Sequence, residues 1–233
     1  MIKIEKTDVY GWEAAIRGMR NPMNSWDKSD STWDFVEDPS IINPNDSIQW
    51  VIGDNDHDLM MRLARGGSVH AKYRRMITVT CDITAPLYWW KEFDTYKVGT
   101  VANSCSTMHK IHAKEFTLDD FSHEHLDDTD EFALADEHGE CEGWIVTTKS
   151  VLECIVSLLN YHRKKFLETG DKRYWRQMIQ LLPSSYNQKR TILMNYEVLV
   201  GMYRDRRNHK LTEWVELCKW IESLPYAEMI TCQ

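Results

Sequence analysis

The stretch LLPSSYNQKRTILMNYEVLVGMYRDRRNHKLTEW, residues 181–214, decides how this chain is interpreted. Its apolar spacing predicts one helix over 191–207. Three turns of helix take about eleven residues, so Asn195 and Arg206 are expected to point the same way, with Leu199 and Met202 between them. An amide and a guanidinium at the two ends of an apolar stripe are costly to bury unless each has a polar partner.

The segment 184–190 follows Pro183 and is predicted to lead into that helix. Backbone N–H groups at a helix N-terminus, with Lys189 and Arg190 beside them, suit a phosphate group. An ordinary capped turn explains the same residues. Arg206 and Asn195 can either serve a ligand or have a purely structural explanation. Structurally, Arg206 is a solvated arginine in the charged run RDRRNHK, and Asn195 makes a buried hydrogen bond between helices.

Composition excludes several classes of function. The 233 residues are 42% hydrophobic and 27% charged, as in a folded protein with a sizeable core. A net charge of −8 argues against nucleic acid as a partner, because counterion release needs clustered Lys and Arg. It leaves room for a small anion in a local basic pocket. No apolar run is long enough to span a membrane, and the six cysteines form no CxxC pair. We therefore expect a cytoplasmic protein with reduced thiols and no membrane partner.

The order of predicted elements favours an α+β fold with a helix-rich C-terminal half. Residues 76–83 alternate cleanly, with Ile77, Val79, Cys81 and Ile83 on one face, and predict a half-buried strand. A strand and then a helix are predicted at the N-terminus, a strand at 47–52, and helices at 58–65, 87–97, 148–168, 172–182 and 211–223. The predicted apolar face of the 148–168 helix comprises Val151, Cys154, Ile155, Leu158 and Leu159.

Two segments are predicted to lack regular structure for most of their length. Residues 21–44 are rich in Ser, Asp, Asn and Pro and are expected to be mostly loop. Residues 117–142 are strongly acidic and are expected to form a surface insertion with some helix. We expect all the elements to pack as a single domain, 1–233.

A second informative block lies upstream of the first. His70 follows Gly66 and Gly67, then come the 76–83 strand, an Ala-Pro pair at 85–86, and TYKVGTVANSCSTMHK at 95–110. This order, with the spacing of Pro183, Asn195 and Arg206 and with His209 and Trp214 beyond, resembles the flavin-dependent thymidylate synthases. Those enzymes carry a Gly-His pair, a strand, an Ala-Pro and a motif of the form RHR-xx-S-x-N-E-x-S-x-R. The resemblance covers 58–110 and 174–220.

The 95–110 block matches that motif in part. Thr100, Asn103 and Ser106 take the places of its S, N and S when one residue is inserted, and Lys97 falls at the third basic position. The departures are Thr95 and Tyr96 at the first two basic positions, Ser104 at the glutamate, and His109 or Lys110 at the final arginine.

The resemblance implies a ThyX-like domain, in which helices pack on a central sheet, and a homotetramer with active sites between subunits. It implies reductive methylation of dUMP to dTMP, with the carbon from methylenetetrahydrofolate, the hydride from NADPH, and FAD as the relay. A bacterial or phage source fits such a chain. The implied roles are catalysis by Arg206 and Ser106, substrate binding by Ser104, Lys189, Arg190 and Arg206, and cofactor binding by His70, Lys97, Asn103 and Asn195.

The missing RHR triplet leaves enzymatic activity open, because the family uses that triplet to bind FAD. One alternative is a catalytically degenerate pyrimidine-nucleotide-binding protein on the same fold. Another is a purely structural or interaction protein.

The acidic segment contains candidate metal ligands. His123, His125, His138 and Cys141 lie among carboxylates, and these residue types do bind metals. Their spacing fixes no coordination geometry, and a solvated acidic loop explains them. We expect no metal site.

Overall fold

The computed structural model describes residues 2–35, 48–133 and 145–232. The strands are β1 (Lys3–Tyr10), β2 (Thr32–Phe35), β3 (Ile48–Val51), β4 (Thr78–Pro86), β5 (Thr100–Ser104), β6 (Phe132–Ala133), β7 (Ile145–Val146) and β8 (Asn187–Asn195). The helices are α1 (Trp12–Arg20), α2 (Asp54–Arg65), α3 (Leu87–Phe93), α4 (Thr148–Thr169), α5 (Lys172–Leu181), α6 (Tyr196–Arg206), α7 (Thr212–Glu222) and α8 (Glu228–Thr231). A four-stranded sheet has the order β1-β4-β8-β5. The predicted α+β fold, with a central sheet and a helix-rich C-terminal half, is confirmed.

The chain divides into two compact units. The helical unit comprises Met1–Lys3, Thr84–Thr95 and Ser104–Arg190, and it contains α3, α4 and α5. The larger unit comprises Ile4–Ile83, Tyr96–Asn103 and Thr191–Gln233, and it contains α1, α2, α6, α7 and α8. Each strand of the four-stranded sheet contributes residues to both units. The single domain over 1–233 stays a prediction.

The alternate residues of 76–83 that were predicted to share one face are all buried. Ile77, Val79, Cys81 and Ile83 are each at most 1% exposed. Burial raises the pKa of the Cys81 thiol to about 12, which keeps it protonated. Cys81, Cys105, Cys154, Cys218 and Cys232 are free thiols, and Cys141 lies outside the described residues.

The predicted helix over 191–207 is wrong in its first part. Residues 187–195 form β8, and the helix, α6, begins only at Tyr196. Gln188, Ile192 and Met194 are buried while Thr191 is exposed, so this part of the sequence has the period of a strand. The helical period starts with Tyr196, Leu199 and Val200, which face the core. The segment 184–190 therefore leads into a strand and offers no helix N-terminus to a phosphate.

Strand β8 pairs antiparallel with β4. At one end the Leu87 amide donates to the Tyr186 carbonyl at 3.0 Å, and at the other the Tyr196 amide donates to the Ile77 carbonyl at 3.0 Å. Between them the Thr191 hydroxyl donates to the Asp82 carboxylate at 2.6 Å. Register is thereby fixed along the whole strand.

On its other side β8 pairs antiparallel with β5, which is the edge of the sheet. The Cys105 amide donates to the Lys189 carbonyl at 2.9 Å, and the Asn195 amide donates to the Gly99 carbonyl at 3.2 Å. The last residue of β8 is thus fixed against the turn that precedes β5.

Asn195 is the N-cap of α6 and does not lie inside a helix. Its side-chain oxygen accepts a 2.9 Å hydrogen bond from the Val198 amide. Gly99 lies against the same amide group: a Cβ at position 99 would come within 2.6 Å of Asn195 Nδ2. Gly99 also has φ +83°, which favours glycine. Hydrogen bonding at the cap, and not a contact between helices, explains this asparagine.

Smaller corrections follow the same physical logic. Helix α2 begins at Asp54, earlier than predicted, α3 ends at Phe93, and β2 lies within the segment expected to be loop. On α4, Leu152 and Leu159 are buried, whereas Cys154 and Leu158 of the predicted apolar face are exposed. The apolar face is therefore rotated, because α5 packs beside Leu159 through Met178.

The acidic segment is not all surface. Phe121 is 1% exposed and belongs to a core cluster with Phe116, Leu152 and Met178. Ser122 is also buried, and its hydroxyl donates to the Asn187 side chain at 3.0 Å. An aromatic residue at 121 fixes the start of the segment in the core of the helical unit. Residues 134–144 lie outside the described part of the chain.

Among the described residues, no helix combines the length and the apolar character needed to cross a bilayer.

The N-cap can be tested by substitution. Asn195→Ala should lower the free energy of unfolding by about 1 kcal/mol, and Asn195→Ser should recover most of the loss, because a hydroxyl also accepts from the first turn. Urea unfolding measures both. Asn208→Ala, at an exposed position just beyond α6, is the matched control. Equal effects at 195 and 208 would show that the Asn195 amide does not cap the helix.

Candidate functional site

Arg206, the last residue of α6, is held between aromatic side chains. Its Nε donates a 2.9 Å hydrogen bond to the Tyr96 hydroxyl. Its guanidinium carbon lies 4.6 Å from the centroid of the Trp214 ring and 5.7 Å from that of Tyr96. Trp214 is fully buried and Arg206 is half-buried. Cation–π contacts strengthen as water is removed, so Arg206 is a positioned cation and not a solvated one.

His209 contacts the other end of the guanidinium. Its Nε2 lies 3.0 Å from Arg206 Nη1, and its Nδ1 lies 3.2 Å from the Leu211 amide nitrogen. Its ring lies 6.3 Å from that of Trp214, at 72°. Tyr96, Arg206, His209 and Trp214 together form the Arg206 cluster, which lies entirely within the larger unit.

Hydrogen bonds in the turn after Tyr96 and at the start of α6 position the Arg206 cluster. The Thr100 hydroxyl donates to the Tyr96 carbonyl, closing the turn that contains Gly99. The Asn195 amide donates to the Gly99 carbonyl, so the start of α6 is tied to the same turn. Tyr96 and the helix that carries Arg206 are therefore fixed relative to each other by backbone hydrogen bonds.

The cluster offers a defined chemistry. A guanidinium has only N–H donors, so it recognises carbonyl, carboxylate or phosphate oxygens. A fixed cation beside a pyrimidine carbonyl stabilises negative charge that develops on the ring. Aromatic walls exclude water from one side of the guanidinium and strengthen such an interaction.

Three predicted residues lie on the exposed turn and edge strand. Lys97 follows Tyr96 in the turn, and Asn103 and Ser104 are on β5; all three are exposed. His70 lies in the turn after α2 and is also exposed. Its ring packs beside Gly66, where a Cβ would come within 3.2 Å of it. The roles predicted for these residues stay predictions.

Ser106 closes a turn in the helical unit. Its hydroxyl oxygen accepts from the Met108 amide at 3.2 Å and from the His109 amide at 2.9 Å. Local hydrogen bonds of this kind are the usual use of serine in turns. Its catalytic role stays a prediction.

Arg190 lies on β8 and is held on three sides. Its Nη1 donates to Asp94 at 2.7 Å, its Nε donates to Gln188 at 3.0 Å, and its guanidinium carbon lies 4.1 Å from the Trp90 ring centroid. The Arg190 side chain is 13% exposed. Lys189 is half-buried on the same strand. Lys189 and Arg190 lie on a strand and not at a helix N-terminus, so the reason given for phosphate binding there fails. Substrate binding by these two residues stays a prediction.

The residues at the positions of the flavin motif do not fit a flavin site of the family's kind. The Thr95 hydroxyl donates to the Glu92 carbonyl at 2.7 Å, and the Tyr96 hydroxyl accepts from Arg206. The Asn195 side-chain oxygen caps α6. Of the three residues at the basic triplet, only Lys97 has a cationic side chain, and it is exposed. No chemistry through a flavin follows from these residues.

Among the described residues, neither a metal cluster nor the cleft near α1 adds to this site. Within the described ranges, no three His, Cys, Asp or Glu side chains are arranged to hold a metal ion. His138 and Cys141 lie outside those ranges. A cleft of about 520 Å³ in the larger unit lies away from the predicted residues, and it is lined by Glu13, Ile16, Arg17, Arg20, Asn21, Trp26, Ser29 and Trp50.

The order of strands and helices defines an α+β domain of one known kind. The fold is that of the flavin-dependent thymidylate synthases. The resemblance seen in the sequence is thereby confirmed at the level of the fold.

Two solved structures illustrate the likeness. Flavin-dependent thymidylate synthase ThyX from Helicobacter pylori, complexed with FAD and dUMP, has a TM-score of 0.62 and 16% identity, over 97% of this chain and 96% of that one. The UMP/dUMP methylase PolB from Streptomyces cacaoi, bound with 5-Br dUMP, has a TM-score of 0.54 and 14% identity, over 100% of this chain and 95% of that one. No protein-family model and no curated protein matches the sequence.

Sequence reasoning missed the role of Tyr96. It treated this residue only as a departure from the basic motif, whereas its hydroxyl is the acceptor for Arg206 Nε. The two residues are 110 positions apart, and no local pattern joins them. The segment from Arg206 to Trp214 did indicate a site, because an arginine, a histidine and a tryptophan lie within nine residues at the end of one helix.

Proposed function

We propose that this protein binds a pyrimidine nucleotide of the dUMP class through Arg206. The observation that carries the proposal is the Arg206 cluster: a half-buried guanidinium, oriented by Tyr96 and stacked on Trp214. Arg206 stands where the resemblance to the thymidylate synthases places the arginine that contacts the base. The H. pylori structure of the same fold is a complex with dUMP, and the S. cacaoi structure is a complex with 5-Br dUMP.

The charge of the chain makes a focused site necessary. An anionic nucleotide is repelled by a net charge of −8 unless cations are concentrated locally. Arg206 supplies a cation with low conformational freedom, since two aromatic rings and a hydroxyl already hold it. Ser104, Ser106, Lys189 and Arg190 remain proposed substrate contacts.

Reductive methylation of dUMP to dTMP is the second candidate function. It is favoured by the cation beside the proposed base site, which would stabilise charge on a uracil ring attacked at carbon. In that reaction FAD would relay hydride from NADPH, and methylenetetrahydrofolate would supply the carbon. The residues that replace the basic triplet do not favour FAD, so nucleotide binding without turnover is the first choice. A cytoplasmic location stays a prediction.

A homotetramer is part of the proposal, and the edge strand supports it. Val98, in the turn before β5, is 89% exposed, and Val101, on β5, is 65% exposed. An edge strand, which pairs with a neighbour on one side only, is a surface suited to association when it carries exposed apolar residues.

Nucleotide binding is tested on Arg206. Hydrogen bonds from a charged donor contribute about 1.5–3 kcal/mol, so Arg206→Ala should weaken dUMP binding about tenfold or more, as measured by calorimetry. Arg207→Ala, which removes the same charge from an exposed neighbour, is the matched control and should change the Kd less than about twofold. Arg206→Lys keeps the charge without the planar fork and should fall between them.

Two results would count against this function. One is the absence of pyrimidine nucleotide binding to the wild-type protein at millimolar ligand. The other is equal weakening by Arg206→Ala and Arg207→Ala, which would reduce Arg206 to a contribution to net charge.

Flavin binding is tested by absorbance. Since Lys97 is the sole exposed cation at the triplet positions, the purified protein should carry FAD weakly or not at all, and should bind it only at high added concentration. Lys97→Arg combined with Tyr96→His restores part of the triplet and should raise FAD affinity. A stoichiometric yellow wild-type protein would show that the triplet is unnecessary and would favour methylation.

Assembly is tested by light scattering. A tetramer of 27.5 kDa chains is expected at micromolar concentration. Changing Val98 and Val101 together to Asp should dissociate it, while Val69→Asp, at a valine that is 70% exposed elsewhere in the same unit, should not. A monomer mass for the wild type would refute the tetramer.

A further inference from the structure

A cysteine lies beside a fully buried arginine in the larger unit. Arg74, in the short 3₁₀ helix Lys72–Arg75 before β4, is 0% exposed, and its Nη2 donates to the Cys232 sulfur at 3.8 Å. Cys232 is partly exposed, at the C-terminal end of α8. We propose that Cys232 is a site of reversible oxidation by peroxides, and that Arg74 holds the oxygen that the sulfur acquires. This oxidation is independent of nucleotide binding at Arg206.

The Arg74 guanidinium has more donors than acceptors around it. Among the described residues, its Nε and Nη1 have no hydrogen-bond partner. Glu197 Oε2 lies 3.7 Å from Nη1, beyond hydrogen-bond distance, and it too has no hydrogen-bond partner in the described part of the chain. The neighbouring Tyr73 hydroxyl stays protonated, because burial raises its pKa to about 12, and it donates to the Met60 carbonyl at 2.8 Å. Unfilled donors on a buried cation are costly, so the site favours an additional acceptor oxygen.

The Cys232 sulfur is held where such an oxygen would form. Met229 and Ile230 are buried and anchor α8, and the Cys232 amide donates to the Glu228 carbonyl at 3.1 Å. The thiol donates to the Met229 carbonyl at 4.0 Å, while the sulfur accepts from Arg74. Sulfur is a weak acceptor, whereas an oxygen bonded to it on the Arg74 side lies closer to the guanidinium and accepts more strongly.

Its surroundings distinguish Cys232 from the other described cysteines. Burial raises the pKa of the Cys81 thiol to about 12 and that of the Cys218 thiol to about 11, and cysteines buried in apolar surroundings are inert. Cys105 and Cys154 are exposed. Reactive cysteines lie in partly exposed, electropositive surroundings. Cys232 combines partial exposure with a hydrogen bond from a guanidinium.

The reaction requires a peroxide as its only co-reactant. An electron pair of the Cys232 sulfur attacks one oxygen of hydrogen peroxide and the O–O bond breaks. The other oxygen leaves as hydroxide and takes the thiol proton, which gives water. Sulfur is oxidised and the peroxide is reduced. The product is the sulfenic acid Cys232–SOH, which a dithiol reduces back to the thiol with release of water. Arg74 Nη2 donates to the new oxygen and stabilises negative charge on it.

Trapping of the sulfenic acid tests the proposal. The wild-type protein is treated with equimolar hydrogen peroxide and with dimedone, which labels sulfenic acids, and peptide mass spectrometry measures the label on each cysteine. Cys232 should be labelled about tenfold faster than the exposed Cys154, the rate change that one charge-assisted hydrogen bond corresponds to. Dithiothreitol added before dimedone should abolish the label on Cys232.

Substitutions identify the contribution of the arginine. Arg74→Met removes the guanidinium and should lower the labelling rate of Cys232 to that of Cys154. Arg75→Met, which removes the same charge at an exposed neighbour, is the matched control and should leave the rate unchanged. Glu197→Gln removes the carboxylate that shares the Arg74 guanidinium and should raise the rate. The buried Cys81 stays unlabelled in every variant that keeps its fold.

Two results would overturn the proposal. One is equal labelling of Cys232 and Cys154 in the wild-type protein, a comparison that depends on no variant. The other is an unchanged Cys232 rate in Arg74→Met protein whose Cys81 remains unlabelled, which would show that the guanidinium has no part in the reaction.

Discussion

The antiparallel pairing of β8 with β4 on one side and β5 on the other is the constraint on which the candidate site depends. It fixes Asn195 against Gly99 by a backbone hydrogen bond, and it sets the residue at which strand becomes helix. Helix α6 then has one starting point and one length, which puts Arg206 beside Tyr96. A slip of one residue in β8 would turn every side chain of the strand to the opposite face and would also rotate the start of α6.

The two arginines of the predicted substrate site differ in what surrounds them. Arg190 is matched to a carboxylate, Asp94, and is 13% exposed, as expected for a cation that fastens a strand to its neighbours. Arg206 lies against the rings of Trp214 and Tyr96, and its contacts include the Tyr96 hydroxyl and the His209 imidazole. These contacts orient the guanidinium at the end of α6.

Much of the fold could be predicted from the sequence, and the errors have physical causes. The β4 strand was predictable because its alternation is uninterrupted between 77 and 83. The β8 strand was not, since Ile192, Leu193 and Met194 also suit a helix and α6 follows without a break. Arg206 was singled out by its position in one segment, whereas its partner Tyr96 lies in a turn 110 residues earlier. Pairing across such a separation is set by sheet register, which no local period reveals.

The contact between Gly99 and Asn195 restricts which residues can replace either of them. The glycine has a backbone conformation that other residues resist, and the asparagine amide fills the space where its side chain would be. A side chain at 99 therefore needs a shorter cap at 195, such as serine, and remains strained by the positive φ. Between homologues of this chain the two positions should change together, as a correlated pair 96 residues apart that marks the turn and the helix start as one inherited unit.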